Sequence, residues 1–413
     1  MSTDVAVHRT RRWMPAVAAV WALSAAACCV LAALGQAKFT DLHVYRLGGE
    51  AVLHGGSLYR LRFAGLPFTY PPFSALVFTG LAVLPWAVAA SLLTVGSAVA
   101  LLVALFLALR LPPVPTHLDS RTAWRLALLV AAAAIWLEPV RTTLGYGQVD
   151  LFLAAGVLYD LHLPDTSRRK GVVIGLAAGL KLTPVIFVLY LLITRRYRAA
   201  ATATAVFAAT VAAGFAILPA SSAHYWDVTF LNPSRVSPVQ NVENQSLLGA
   251  LARNLHSSHV GYVWLPLAIA VALTGLTLAA RAQRTGNEAA GFALCALTGL
   301  LISPISWTHH WVIAVPALLL AALTIYRARA EYRRAAILGL TAIAAIAIIG
   351  WARLARDVPG SDWLHLPALG IAYSEVYVLA GLAALVVAAG LLWRTDRRTR
   401  PEADTRLESG APA

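Results

Sequence analysis

The chain has 413 residues; 59% are apolar or aromatic, 13% are charged, and the mean hydropathy is +0.70. Apolar runs of about 20 residues recur along the whole length, which excludes an ordinary soluble multidomain protein and indicates an all-α, polytopic membrane protein. The net charge of +14 and pI near 10.2 do not argue for nucleic acid as a partner, because the basic residues cluster at the ends of apolar runs, as topology determinants do.

In hydrocarbon every backbone N–H and C=O must be paired within the chain, so the runs are read as helices. The predicted spans are 14–34, 87–110, 122–137, 147–163, 171–181, 184–194, 198–218, 261–281, 289–303, 308–326, 335–350 and 373–393. The first follows a basic RTRRW and is too long for a signal-peptide core, so it is expected to stay as an uncleaved helix. The stretch 73–110 would be about 57 Å long as one helix, against a core of about 30 Å, so 73–85 is expected to be interfacial or re-entrant. That leaves about twelve crossings with both termini cytoplasmic. Residues 1–393 are predicted to form one membrane domain, and 394–413 a charged, disordered cytoplasmic tail. Cys28, Cys29 and Cys295 all lie inside apolar runs and read as small span residues, not as a metal or disulfide set.

With this topology 23 of the 33 Lys and Arg residues fall at inside ends, segment by segment. The short runs 171–181 and 184–194 carry Arg clusters at their far ends, so they are expected to bend at KLTP rather than form one straight span. The unusual polar islands then share the outer face: FTDLHVY (39–45), PFTYPP (67–72), EPVRTTLGYGQ (138–148), KLTP (181–184), the loop 219–260 and ISWTHHW (305–311). A structural bundle has no need to gather such residues on one side; a boundary site does.

Along the chain, Asp41 opens a short amphipathic stretch and could cap a helix, touch lipid headgroups or act as a base. His43 and Tyr45 follow it, and Tyr70 sits in a proline-stiffened turn that could line a sugar or lipid pocket. Glu138 and Arg141 are three residues apart, as in a helix-end pair. The glycines around Tyr146 permit a tight turn beside Gln148, whose amide suits sugar hydroxyls. Lys181 at membrane depth must snorkel or meet an anion, and the Thr-Pro after it frees backbone groups. His309 and His310 stand between Trp307 and Trp311; adjacent histidines on a helix diverge, so phosphate contact is expected and metal is not. No D-x-D, Walker A, G-x-S-x-G or H-E-x-x-H pattern occurs, which removes the common nucleotide-sugar, ATP-driven and hydrolytic readings.

FTDLHVY, LPFTYPPF, IWLEPVRTTLGYGQVD, GLAAGLKLTP, ENQSLLGALAR and SPISWTHHWV occur in this order over about 270 residues. The set resembles the polyprenyl-phosphate-mannose-dependent alpha-1,2-mannosyltransferases of glycosyltransferase family 87. The resemblance implies a GT-C fold, a lipid-phosphate sugar donor, a glycolipid or mannoside acceptor, no cofactor and an extracytoplasmic active site in the plasma membrane. It puts Asp41 at the catalytic aspartate, and His309 or His310 at the donor phosphate. Lys181 and Arg141 fall on basic family positions and are inferred to meet the same phosphate. His43, Tyr45, Tyr70, Glu138, Tyr146, Gln148, Asn244, Gln245 and Trp307 are expected on the sugar and acceptor side. Glu243 interrupts the family's F-N-Q-S pattern, and 351–372 matches least, so acceptor choice is expected there. Rival readings are a different lipid-linked sugar, such as a pentose, and a secondary transporter or flippase.

Overall fold

A computed structural model describes residues 3–31, 38–113, 118–230, 232, 238–327 and 374–399. The expected span 335–350 and the stretch 351–372 lie outside them. Among the described residues helices cover most of each predicted run, α1 beginning eleven residues before the expected 14: α1 (Thr3–Leu31), α2 (Thr40–His54), α3 (Pro72–Ala82), α4 (Trp86–Ala108), α5 (Ser120–Ala134), α6 (Glu138–Tyr146) and α7 (Asp150–His162). Then come α8 (Val172–Leu180), α9 (Val185–Ile193), α10 (Tyr197–Ile217), α11 (Pro219–His224), α12 (Leu247–Asn254), α13 (Gly261–Arg284), α14 (Glu288–Ile302), α15 (Ala314–Arg327) and α16 (Val376–Thr399). Helix α16 runs to Thr399, so the tail expected to be disordered from residue 394 begins as helix.

Among the described residues, α4, α10 and α13 are long and apolar enough to cross a bilayer. A fourth span results if α5 and α6, bent by 79° at their junction, count as one. Among the described residues the other apolar helices, such as Pro72–Ala82 and Glu288–Ile302, are shorter, and the expected span 335–350 lies outside them. Pro85 separates α3 from α4, as the length argument required, and α3 packs against α2 and α10. The close approach of α2 to α3 depends on Gly49, where a Cβ would stand 2.5 Å from the Phe78 carbonyl oxygen.

Helices α8, α9 and α10 set the depth of the site. Gly171, Gly175 and Gly179 recur every four residues and face Ala199, Ala203 and Thr210 in turn, so α8 and α10 run parallel in close contact. Helix α9 returns beside them, and Arg198 donates to the carbonyls of Asp165 and Ser167, which brings the two Arg-rich ends together. Each arm of this V rises only about 14 Å. The KLTP break lies level with Thr210, about 10 Å short of the end of α10. Lys181 is therefore held below the helix ends.

One hydrophobic core fills the bundle among α4, α7, α9 and α14, with Phe187, Tyr190 and Phe292 wholly enclosed. A second lies beneath α2 and α3, built on Leu42, Tyr45, Phe68 and Phe78. Between them is a short hairpin, Arg62–Phe63 paired with Leu66–Pro67, that periodicity did not predict. Its two-residue turn, Ala64 and Gly65, has φ of 48° and 83°, the geometry that matches strand twist.

Candidate active site

A cavity of about 450 Å³ gathers side chains from all six polar islands. Asp41, Tyr70, Tyr146, Gln148, Lys181, Trp307, His309 and His310 line it, together with Lys38, Asn241 and Glu243.

Asp41 reaches it through the docking of α2 on the end of α6. Phe39 precedes α2 in the left-handed region (φ 43°), and its N–H donates to the Gly145 carbonyl at 2.9 Å. Gly147 ends α6 with φ 70°, and a Cβ there would stand 2.9 Å from that of Leu42. These two features set Asp41 beside Gln148. The N-cap of α2 is Phe39 rather than Asp41, which lies two residues further on, inside the first turn. Gln148 Oε1 accepts from the hydroxyls of Tyr45 (2.6 Å) and Tyr70 (3.2 Å), which turns its NH2 group toward Asp41.

Asp41 borders the cavity, yet the protein around it is dense. Burial pushes its pKa up to about 7, opposed by the charge of Lys181 and the bond with Gln148, and aided by Asp150. A carboxyl that is half ionised near neutrality can take a proton from a substrate and give it up again. The Tyr70 hydroxyl, pushed up to about 12 by burial, remains a donor.

Lys181 follows the last turn of α8 with extended backbone, since Pro184, the N-cap of α9, has no N–H to donate to the Leu180 carbonyl and the helix cannot continue. Its ammonium lies 2.7 Å from Asp150 Oδ1 and 3.0 Å from His310 Nε2, and 5.6 Å over the Tyr70 ring. An ammonium only donates, so His310 Nε2 is the acceptor and its ring proton is on Nδ1. The histidine pair sits in a 3-10 turn, Thr308–Ile313, not in a regular helix. The turn converges what a helix would splay: ligand atoms of Asp150, His309 and His310 lie within 4.8 Å of one another, a set able to hold a metal ion. Lys181 already contributes positive charge at that place, so a metal would compete with the ammonium for Asp150 and His310.

Other expected residues take supporting places. Glu138 is buried behind the wall, accepting from Thr142, Thr308 and Tyr377 at 2.7–3.0 Å, and so ties the histidine turn to α6 and α16. Asn244 and Gln245 are fully enclosed. Asn244 donates to the Val239 and Pro304 carbonyls and accepts from Ser306 N–H, while Gln245 bonds Val242, Ser374 and Tyr377. Their amides brace the 241–246 loop against 304–308 instead of facing a sugar. His43 is stacked between Phe63 and Trp86, outside the lining. Arg141 is exposed and also outside it, because its helix turns Thr142 and Thr143 inward. Tyr45 acts from behind, through Gln148.

Asp150 and Glu243 were not among the expected site residues. An acid at the start of an apolar run needs a cation, and the one lysine within a predicted span was the available signal. Glu243 enters the lining because its N–H donates to Asn241 Oδ1 and its carbonyl accepts from Thr308 N–H, fixing its direction.

Residues 68–304 match glycosyltransferase family 87. The chain belongs to this family. Over 394 residues it is 32% identical to a polyprenol-phosphate-mannose-dependent alpha-(1-2)-phosphatidylinositol mannoside mannosyltransferase of Mycobacterium tuberculosis, covering 90% of this chain and 89% of the relative. It is 35% identical over 366 residues to a Mycolicibacterium smegmatis enzyme described as acting on phosphatidylinositol pentamannoside, covering 86% and 83%. Among solved structures, ArnT from Cupriavidus metallidurans bound to undecaprenyl phosphate aligns over 94% of this chain and 79% of its own, with 15% identity and a TM-score of 0.40. As a family 87 member the chain is a membrane glycosyltransferase, and its motifs are the ones that meet in the cavity.

Proposed function

We propose that this family 87 member is an inverting GT-C-type mannosyltransferase. It moves mannose from polyprenyl-phosphate-mannose to a hydroxyl of a phosphatidylinositol mannoside or related glycolipid, forming an alpha-1,2 linkage. The observation that carries the reading is the shared cavity, in which a carboxyl of pKa about 7 faces a buried ammonium and two imidazoles. Asp41 takes the acceptor proton as its oxygen attacks the anomeric carbon of a beta-linked mannosyl phosphate. The bond from that carbon to the phosphate oxygen breaks, and the polyprenyl phosphate departs with the electron pair. Lys181 and the histidine turn stabilise the negative charge that develops there. A single displacement needs one base and gives inversion without a covalent sugar intermediate. Leu182, Ile305 and Tyr225 offer apolar lining beside the phosphate end, suited to the first isoprene units.

The distribution of arginine supports a cavity on the extracytoplasmic side, with both termini cytoplasmic. Purified protein incubated with polyprenyl-phosphate-mannose and a panel of mannosides should yield alpha-1,2-linked product on linkage analysis. Transfer from a nucleotide sugar instead overturns the donor, and transfer of a lipid-linked pentose but not mannose overturns the sugar. Solute movement without transfer would favour the transporter.

A further inference from the structure

Lysine is a flexible cation on a four-carbon stem, without the planar fork that orients arginine. A lysine that must meet one leaving oxygen therefore needs anchors. In this protein its ammonium has two, Asp150 Oδ1 at 2.7 Å and His310 Nε2 at 3.0 Å, which leaves one of its three N–H groups for a ligand. Lys181 lines the large cavity; Asp150 does not, and borders instead a separate space of about 50 Å³ among α7, α9 and α14. Asp150 lies in the first turn of α7, where the helix dipole favours a carboxylate. Its Oδ2 has no hydrogen-bond partner among the described residues, so Lys181 is the cation that balances it.

Resting on the function proposed above, we propose that Asp150 is a positioning residue for the transfer. It holds Lys181 from behind, so that the free N–H meets the leaving phosphate, and it does not touch substrate itself. The carboxylate also balances the charge that Lys181 presents to Asp41. Asp41 is faced by Lys181 and Asp150 from the α8–α9 break and α7, and by Tyr45 and Tyr70 from α2 and the following loop. Lys38, Tyr146, Glu243, His309 and His310 share its cavity. Removing the Asp150 charge leaves the lysine acting on Asp41 alone, which favours the ionised base.

The test compares wild type, Asp150→Asn, Lys181→Gln and the double variant, purified in detergent and assayed with polyprenyl-phosphate-mannose and a mannoside glycolipid across pH. Asp150→Asn should lower kcat about 100-fold, as misplacement of a catalytic group does, with acceptor KM unchanged. The acid limb of kcat/KM should move down by roughly one pH unit, and Asp150→Glu should recover part of the rate. In the Lys181→Gln background Asp150→Asn should cost nothing further. An unmoved acid limb with wild-type kcat, or losses that multiply in the double variant, would overturn the proposal. If Asp150→Asn does not fold, the double variant, which buries no unpaired charge, is compared with Lys181→Gln: equal rates support the role and a further fall overturns it. Absence of transfer by wild type is a separate outcome, against the functional reading itself.

Discussion

Replacing Asp41 by Asn removes the proton acceptor and keeps the shape. The carboxyl sits at the cavity wall beside the Gln148 amide, and the tyrosines behind that amide are unaffected by the change. General-base catalysis contributes about 10²- to 10⁴-fold, so the variant should lose roughly 3 to 5 kcal/mol of transition-state stabilisation. The pKa of about 7 adds a second signature. Wild-type kcat/KM should rise with pH through 7, and at pH 5 only about 1% of the free enzyme would carry the ionised base. The assay is initial-rate transfer from polyprenyl-phosphate-mannose between pH 5 and 9, with donor binding measured in parallel. Donor affinity should change little. A variant retaining more than a tenth of the wild-type rate, or a wild-type profile flat from pH 5 to 7, would remove Asp41 from the role.

The same substitution should act on stability with a definite sign. The folded carboxyl titrates above its unfolded value of 3.8, so ionisation destabilises the native state progressively from pH 4 to 7, by no more than roughly 4 kcal/mol. Asp41→Asn should therefore raise Tm at pH 8 and leave it nearly unchanged at pH 4, and a gain confined to acid pH would contradict the burial argument. Arg253, itself buried, makes two hydrogen bonds to the buried Glu375 carboxylate and donates to the Asn241 carbonyl. Arg253→Ala should cost about 3 to 5 kcal/mol in thermal or denaturant unfolding, whereas Arg253→Met with Glu375→Leu should cost much less. Gly175→Val should lower Tm by prying α8 from α10, since even a Cβ there meets the Ala203 carbonyl; Gly80→Ala, with open space around it, should not. Arg141→Ala should reduce transfer far less than Lys181→Ala, because only Lys181 lines the cavity.

Hydropathy and local chemistry alone settled the class of this protein. Recurring apolar runs in a chain with 13% charge read as helices in a bilayer, and Pro85 and Pro184 mark breaks between helices, although Pro266 is accommodated inside α13. The order of the polar islands likewise identified the family, and Asp41, Lys181 and the histidine pair do share one cavity. The extents of α4, α10 and α13 were legible for the same local reason. What the chain order could not show is which polar group answers which. Lys181 meets Asp150 across 31 residues and His310 across 129, while Gln148 is oriented by a tyrosine 103 residues away. Asn244 and Gln245 look like sugar ligands in a motif, yet folding spends their amides on backbone groups 60 and 129 residues distant. Such pairings depend on helix crossings, and these are set by the glycine faces of α8 and of α2 against their neighbours. Local sequence dictates a helix because its hydrogen bonds close within four residues; a site closes across the bundle, so only the packed structure assigns its partners.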